Sequence, residues 1–115
     1  MPLRILIVDD DAAFRDGVAR ELEARGYEIA GCAATLAEAR AALAALEPDA
    51  VLLDVNLPDG NGVAFAGEVR ARVLLTSTDA GAAPSRLVER SGAAGFVAKT
   101  ELLDADLSRY LGPAG

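Results

Sequence analysis

Near its start the chain reads Ile5-Leu6-Ile7-Val8-Asp9-Asp10, an uninterrupted apolar run that ends in two carboxylates. A short run of this kind, followed at once by polar residues, is typical of a strand buried on both faces of a sheet. Similar runs recur along the chain, and segments with the spacing of amphipathic helices separate them. The predicted strands are residues 4–8, 27–32, 50–54, 73–76 and 95–99, and the predicted helices are residues 12–25, 36–47, 63–70, 84–90 and 102–111.

This alternation of strands and helices predicts an α/β fold with a parallel sheet. Because βαβ crossovers are right-handed, the helices should cover both faces of the sheet. The simplest arrangement is a flavodoxin-like, doubly wound, five-stranded sheet with the order 2-1-3-4-5, one of the common orders for such folds. A length of 115 residues and a hydrophobic content of 52% suit one domain, residues 1–115, with its own core.

Polar side chains close the predicted strands of the sheet centre and of one edge. Asp9 and Asp10 follow the first strand, Asp54 the third, Thr76 the fourth and Lys99 the fifth. In an open parallel sheet, ligands bind outside the carboxyl ends of the strands, where the strand order reverses. We therefore expect these residues to meet at one edge, with the reversal lying between the first and third strands.

Three carboxylates at one place repel each other, and burial adds the cost of removing them from water. A divalent cation would compensate that cost, and Mg²⁺ prefers oxygen ligands. Asp54 caps no predicted helix, and a carboxylate can attack phosphorus to form an aspartyl phosphate. Lys99 would then hold a phosphoryl oxygen, and Thr76 would donate a hydrogen bond to one. Taken singly, Thr76 and Lys99 are also compatible with an ordinary strand end and a solvated side chain, and Asp11 is better explained as a helix cap.

The bulk composition excludes several classes of function. With 18 acidic and 11 basic residues, the net charge is −7, which argues against direct binding to nucleic acid or to an anionic membrane. Cys32 is the only cysteine and histidine is absent, so a disulfide framework, a zinc site and a nucleophile–histidine pair are all ruled out. Residues 1–4 run straight into a strand without the apolar region of a signal peptide, and no apolar stretch approaches the length of about 20 residues needed to span a bilayer, so we expect neither a signal peptide nor a membrane span. A cytoplasmic location is expected.

The chain resembles the receiver domain of bacterial two-component response regulators over essentially its whole length. Four motifs carry the resemblance, and as a set they are highly specific. They are Ile5-Leu6-Ile7-Val8-Asp9-Asp10, then Leu52-Leu53-Asp54-Val55-Asn56-Leu57-Pro58 with Gly60 and Gly62, then Leu75-Thr76-Ser77, and Gly92-Ala93-Ala94-Gly95-Phe96-Val97-Ala98-Lys99.

The resemblance implies a phosphorelay function. Asp54 would accept a phosphoryl group from a histidine kinase or a histidine phosphotransfer protein. Asp10 would bind Mg²⁺ directly and Asp9 mainly through water, while the backbone carbonyl of Asn56 would supply another ligand. The protein would be a signalling receiver that catalyses only its own phosphorylation and dephosphorylation. It would be either a free-standing regulator or the receiver part of a longer protein, whose output domain, outside these 115 residues, could regulate transcription.

The resemblance also implies a switch. Thr76 would move toward the phosphoryl group, and Phe96 occupies the position of the family's aromatic rotamer switch. The loop at residues 77–84 and the surface of helix four, strand five and helix five would then change, and that surface could form a homodimer. The chain departs from the family in two places. Thr100 stands where the family usually has proline, often after a cis peptide bond. A cis bond without proline costs about 2.5–4 kcal/mol, so the loop should differ from the family's, and the sequence leaves open whether Lys99–Thr100 is cis or trans. The segment from Asp54 to Thr76 is short, so the third helix or its exit loop should be truncated.

Two other functions are alternatives for the same residues. A pseudo-receiver, which is a protein-interaction module without phosphorylation, would typically lack one of the acidic residues, the threonine or the lysine. A small Mg²⁺-dependent phosphohydrolase of the haloacid dehalogenase type would need a second aspartate two positions after the nucleophile, where this chain has Asn56.

Overall fold

A computed structural model of the protein describes residues 2–79, 81 and 83–114. A 3₁₀ turn, Leu102–Asp104, precedes the last helix. In chain order the strands and helices are β1 Arg4–Val8, α1 Ala12–Ala24, β2 Glu28–Ala33, α2 Leu36–Leu46, β3 Ala50–Asp54, β4 Asn56–Leu57, β5 Gly60–Asn61, α3 Gly62–Ala66, β6 Arg72–Ser77, α4 Ser85–Ser91, β7 Gly95–Ala98 and α5 Ser108–Leu111.

Five of the strands form one sheet in the order β2-β1-β3-β6-β7. Each neighbouring pair in this sheet runs parallel. The predicted order 2-1-3-4-5 is confirmed, since β6 and β7 are the fourth and fifth predicted strands. The two additional strands, β4 and β5, pair antiparallel in a small hairpin of their own. This hairpin occupies a turn-rich segment that the sequence predicted only as a loop.

The sheet separates two apolar cores, because successive side chains of a strand point to opposite faces. Leu6 and Val8 of β1 face one core, which α2, α3 and α4 cover. Ile5 and Ile7 face the other, which α1, the 3₁₀ turn and α5 cover. Helices therefore lie on both faces, as the doubly wound fold requires. The carboxyl ends of β1, β3, β6 and β7 are left open at one edge.

The prediction of one continuous helix over residues 102–111 is wrong, because the structure has a 3₁₀ turn and a separate α5 there. The chain leaves helical geometry at Ala105, whose φ of −80° and ψ of 152° are extended. Arg25 of the α1 C-cap donates hydrogen bonds to the carbonyls of Leu103 and Ala105, so the end of the 3₁₀ turn is satisfied from another element. Asp106 then accepts from the amide and the hydroxyl of Ser108, and this restarts the helix.

The third helix, predicted over residues 63–70, ends at Ala66. Beyond it, the amides of Glu68 and Val69 still bond to carbonyls three residues back, so the segment continues as tight turns. Gly67, a poor helix former, lies where the helix ends. The short α3 agrees with the short segment between Asp54 and Thr76.

The β4–β5 hairpin is attached to α2 through Asp59. Its two carboxylate oxygens accept from the amides of Leu36 and Ala37, at 2.8 and 3.1 Å, in the first turn of α2. The amide of Leu36 thereby holds the pKa of Asp59 below its ordinary value. Thr35 caps the same helix by accepting from the amide of Glu38, and the Thr35–Glu38 spacing is that of a capping box.

The described peptide bonds include no cis bond, so Lys99–Thr100 is trans. Within the described residues, no helix is both long and apolar enough to cross a membrane.

Candidate functional site

Three carboxylates meet at the open edge of the sheet. Asp9 and Asp10 follow β1, and Asp54 is the last residue of the neighbouring strand β3. One carboxylate oxygen from each lies within 4.8 Å of the others. Asp9 and Asp54 are 1% and 4% exposed, whereas Asp10 is open to solvent. The predicted cluster is therefore formed, and Asp10 lies at its outer side.

Local hydrogen bonds fix the Asp9 end of the cluster. Asp9 Oδ1 accepts from the amide of Asp11 at 2.9 Å, and Arg15 Nη1 donates to the Asp9 carbonyl at 2.6 Å. Asp11 in turn caps α1 by accepting from the amides of Ala13 and Phe14. Its role as a helix cap, which the sequence favoured, is confirmed. The turn from β1 into α1 is thus held by its own side chains.

Asp54 is held by the turn that follows it. The amide of Asn56 donates to Asp54 Oδ1 at 3.3 Å, and the amide of Gly62 bonds to the Val55 carbonyl at 2.7 Å. A Cβ atom at Gly62 would clash with the backbone carbonyl of Asp54. Only glycine allows α3 to begin so close to β3, so Gly62 belongs to the framework of the site.

Lys99 reaches this cluster from the end of β7. Its Nζ lies 2.6 Å from Asp9 Oδ2 and 3.6 Å from Asp54 Oδ2, and the lysine side chain is 13% exposed. The Lys99 ammonium is therefore the positively charged partner of Asp9 Oδ2, while Asp9 Oδ1 accepts from the amide of Asp11.

The charges of the cluster shift the affinity of its members for protons. Burial, and after it the charge of Asp9, raises the pKa of Asp54, while Lys99 and the amide of Asn56 act against that shift. Burial lowers the pKa of Lys99, but Asp9 and Asp54 outweigh burial, so the net pKa of Lys99 is raised. Lys99 therefore stays protonated between the two carboxylates. The Asp54 carboxylate is more basic than a solvent-exposed aspartate.

Thr76 lies beside Asp54 but does not point its hydroxyl at that residue. The two residues are direct partners in the β3–β6 ladder. The Thr76 side chain is buried, and its hydroxyl donates to the Val97 carbonyl on β7 at 2.7 Å. Phe96, the residue before Val97, is half-buried against the core on the α4 side of the sheet. The residues predicted to switch are thus adjacent at the β6–β7 pair.

Ser77 joins two loops at this edge, a role that its place in the Leu75-Thr76-Ser77 motif did not predict. It is fully buried, and its Oγ accepts from the Asp79 amide at 3.1 Å and from Asn56 Nδ2 at 3.4 Å. The hairpin after Asp54 and the loop after β6 are therefore connected through one hydroxyl. The sequence feature that indicates this role is a serine directly after Thr76, at the carboxyl end of a strand.

Phe14 and Arg15 were also missed as parts of the site. The spacing of Phe14, Val18 and Leu22 at i, i+4 and i+8 predicts only that Phe14 lies on one face of α1. Its ring centroid lies 4.3 Å from Lys99 Nζ. The composition also singles out Lys99, which is the only lysine among 11 basic residues. At this one position the chain has a compact ammonium instead of a guanidinium.

A groove of about 470 Å³ lies elsewhere, between α2 and the segment that follows α3. Arg40 covers the ring of Phe65 there at 5.0 Å and forms an ion pair with Glu68. Pro48 and Ala71 line it just before β3 and β6 begin, so it opens at the amino end of the strands. The carboxylate cluster lies at the opposite end of the strands.

The donor set of the cluster fits a hard divalent cation. All three groups are carboxylates, and small cations such as Mg²⁺ bind oxygen ligands of this kind together with water.

Comparison with known proteins gives a consistent result. Residues 5–108 match the family model of the response regulator receiver domain. The chain is 34% identical over 115 residues to protein-glutamate methylesterase/protein-glutamine glutaminase 2 of Anaeromyxobacter dehalogenans (strain 2CP-C), covering 95% of this chain and 33% of that protein. The first curated relatives are longer proteins, and the matches cover 30% to 54% of their length.

Solved structures agree with the fold. A two-component response regulator of the LuxR family from Aurantimonas sp. SI85-9A1 is 31% identical with a TM-score of 0.84, covering 99% of this chain and 89% of that chain. A response regulator from Burkholderia pseudomallei, solved with a phosphorylated aspartic acid, a calcium ion and citrate, is 25% identical with a TM-score of 0.82, covering 94% of this chain and 66% of that chain.

Proposed function

Because this chain belongs to the response regulator receiver domain family, we propose that it accepts a phosphoryl group on Asp54 from a histidine kinase or a histidine phosphotransfer protein. Receiver domains are signalling modules, and we propose that residues 1–115 form one such module. The observation that carries the proposal is the arrangement of Asp54, which ends a central strand beside two other carboxylates and a lysine.

Asp54 has the properties that a nucleophile needs. Its Oδ1 is oriented by the amide of Asn56, and its Oδ2 faces Lys99 at 3.6 Å. Burial raises its pKa, so the ionised carboxylate is more nucleophilic than a solvated one. In the transfer, a carboxylate oxygen of Asp54 forms a P–O bond while the P–N bond of the donor phosphohistidine breaks. The freed imidazole nitrogen takes up a proton from water.

Asp9, Asp10, Asp54 and the backbone carbonyl of Asn56 are the groups that would hold Mg²⁺. When bound, the ion would supply positive charge that neutralises phosphoryl oxygens. The chain contributes a second positive charge, because Lys99 is held at the same edge and can move from Asp9 Oδ2 to a phosphoryl oxygen. Catalysis of this reaction is mostly positioning and electrostatic stabilisation, and these residues can provide both.

The bound phosphoryl group would be read by Thr76. Its hydroxyl now donates to Val97, and a phosphoryl oxygen on the neighbouring Asp54 would be a stronger, charged acceptor. We propose that Thr76 exchanges one acceptor for the other and that Phe96 repacks beside it. The face of α4, β7 and α5 would carry this change to a partner, including a second copy of the chain.

The output of the signal is a separate matter. One relative is a protein-glutamate methylesterase and another is a regulator of the LuxR family. The two names describe different kinds of protein, so the likeness supports a receiver without selecting an output. Regulation of transcription through another domain is one form that the output could take.

The phosphorylation proposal is tested with acetyl phosphate and Mg²⁺. We expect one added phosphoryl group by intact-mass measurement, and we expect borohydride trapping with peptide mapping to assign it to Asp54. Asp54→Asn should abolish the addition, whereas Asp59→Asn, a change at the α2 cap, should leave it intact. Label on Asp9, Asp10 or Asp59 would contradict the assignment. A wild-type protein that takes no label from acetyl phosphate or a phosphorylated kinase would instead be a pseudo-receiver.

A further inference from the structure

Lys99 contacts an aromatic ring in addition to its two carboxylates. The centroid of the Phe14 ring lies 4.3 Å from Lys99 Nζ, within the distance at which a ring face attracts an ammonium. Phe14 comes from the first turn of α1, while the two carboxylates come from the ends of β1 and β3. Three different elements therefore surround the ammonium of the only lysine in the chain.

We propose that Phe14 is a positioning residue for Lys99, and that its ring keeps the ammonium beside Asp54 where a phosphoryl oxygen would form. This inference rests on the proposed function, in which Lys99 serves the phosphoryl group. Phe14 itself would touch neither the phosphoryl group nor the metal.

The unequal distances to the two carboxylates explain why a third contact is needed. Asp9 Oδ2, at 2.6 Å, is closer to the ammonium than Asp54 Oδ2, at 3.6 Å, so the ion pair alone favours the Asp9 side. A lysine has a flexible four-carbon stem and loses much freedom when it is fixed. The ring limits the positions open to the ammonium and shields it from water, and this strengthens its attraction to both carboxylates.

Hydrogen bonds connect the ring to the acidic cluster. Asp9 Oδ1 accepts from the amide of Asp11 at 2.9 Å, and Asp11 Oδ1 accepts from the amide of Phe14 at 3.2 Å. The backbone that carries the ring is thus tied to the carboxylate that pairs with Lys99. An aromatic face also attracts a cation without demanding one direction of approach. Lys99 could therefore transfer from Asp9 to a phosphoryl oxygen without leaving the ring.

The test compares Phe14→Leu, which removes the ring but keeps an apolar side chain, with Phe14→Tyr, which keeps the ring face. Selective labelling with ¹³C-lysine gives a single set of side-chain signals, because the chain has one lysine. In metal-free wild-type protein the Lys99 ε-methylene protons should be shifted upfield by the ring. The shift should persist in Phe14→Tyr and disappear in Phe14→Leu.

The second measurement is the affinity for beryllofluoride in the presence of Mg²⁺, with thermal melts of each variant as a control for folding. Phe14→Leu should weaken binding by about 3- to 10-fold, as expected for the loss of a partly shielded cation–ring contact. Phe14→Tyr should bind like the wild type.

Two results would overturn the positioning role. If the chemical shift of the Lys99 ε-methylene protons is unchanged in Phe14→Leu, the ring does not lie against the ammonium. If Phe14→Leu and Phe14→Tyr lose the same affinity for beryllofluoride, Phe14 contributes only packing. The proposed function fails in a different way. In that case the ring shift would be present in the wild type, but the wild type would take neither beryllofluoride nor label from acetyl phosphate.

Discussion

The hydroxyl of Thr76 donates a 2.7 Å hydrogen bond to the backbone carbonyl of Val97, away from the carboxylate of its ladder partner Asp54. Both groups are shielded from solvent in the β6–β7 pair. The hydroxyl can reach a phosphoryl group only by giving up this bond. The change at Asp54 is therefore coupled to β7 through one interaction, next to Phe96.

Thr76→Val should destabilise the protein by about 1 kcal/mol, because it removes a buried hydrogen bond and leaves the Val97 carbonyl without this donor. Thr76→Ser keeps the hydroxyl and should lower the free energy of unfolding by less than Thr76→Val does. Denaturant unfolding with far-UV circular dichroism measures both changes. Equal stability of the valine variant and the wild type would show that the bond contributes nothing in solution.

Mg²⁺ should stabilise the folded protein, because three carboxylates converge at one edge and the ion would bind only the native arrangement. At a free Mg²⁺ concentration ten times the dissociation constant, the gain is about 1.4 kcal/mol. Thermal melts across a Mg²⁺ titration measure it, with Na⁺ at equal ionic strength as the control.

Asp10→Asn provides a matched comparison for that titration. It should raise the metal-free stability slightly by relieving repulsion, and it should reduce the response to Mg²⁺. Identical Mg²⁺ responses in the wild type and in Asp10→Asn would count against Asp10 as a ligand.

Asp54→Asn should stabilise the metal-free protein at neutral pH by on the order of 1 kcal/mol, within the usual range for single substitutions. Burial and the charge of Asp9 raise the pKa of Asp54 in the folded state. The folded protein then binds the Asp54 proton more tightly than the unfolded chain does, so stability is lost as the pH rises through the folded pKa. The asparagine variant carries no such penalty.

The sign of that effect can be checked by pH. Below the ordinary aspartate pKa of about 3.9, Asp54 is protonated in both states, and the advantage of Asp54→Asn should disappear. Asp104→Asn, at an exposed position in the 3₁₀ turn, is the control and should show no comparable gain. An advantage of Asp54→Asn that stays constant across this pH range would show that repulsion is not its cause.

Much of the fold and of the carboxylate cluster could be predicted from local sequence. The apolar runs fix the strands, and the doubly wound order then brings Asp9, Asp10 and Asp54 together with no further information. Asp11 and Thr35 were also predictable, because a helix cap depends only on residues within one turn.

The features that were missed depend on contacts between distant parts of the chain. The break in the last predicted helix involves Arg25, which bonds to carbonyls about 80 residues away. The stacking of Phe14 on Lys99 and the direction of the Thr76 hydroxyl likewise depend on how β7 packs against other elements. Helical spacing assigned Phe14 to the core, and nothing in the spacing distinguishes a core ring from one that also covers an ammonium.

The last prediction concerns the extent of the switch. Beryllofluoride with Mg²⁺ mimics an aspartyl phosphate, and we expect it to change amide hydrogen exchange in the loop at residues 77–84 and along β7. Ala80 and Ala82 of that loop lie outside the described residues. We expect the exchange of this loop and of β7 to change because two hydrogen bonds connect them to the carboxyl edge of the sheet. Ser77 links the loop to Asn56, and Thr76 links β6 to Val97. A ligand that draws Thr76 toward Asp54 therefore acts on the Ser77–Asn56 link and on the Thr76–Val97 link together.

The experiment compares the wild type with Thr76→Val, each with and without beryllofluoride. In the wild type, protection should change in the Asp54 turn, in the loop after β6 and in β7. In Thr76→Val, the Asp54 turn should still respond, because Asn56 and Lys99 remain in place, while the response in β7 should be lost. Changes confined to the Asp54 turn in the wild type would show that the phosphoryl signal does not pass through Thr76. The chain would then be better described as a phosphoryl acceptor without a conformational output on the α4, β7 and α5 face.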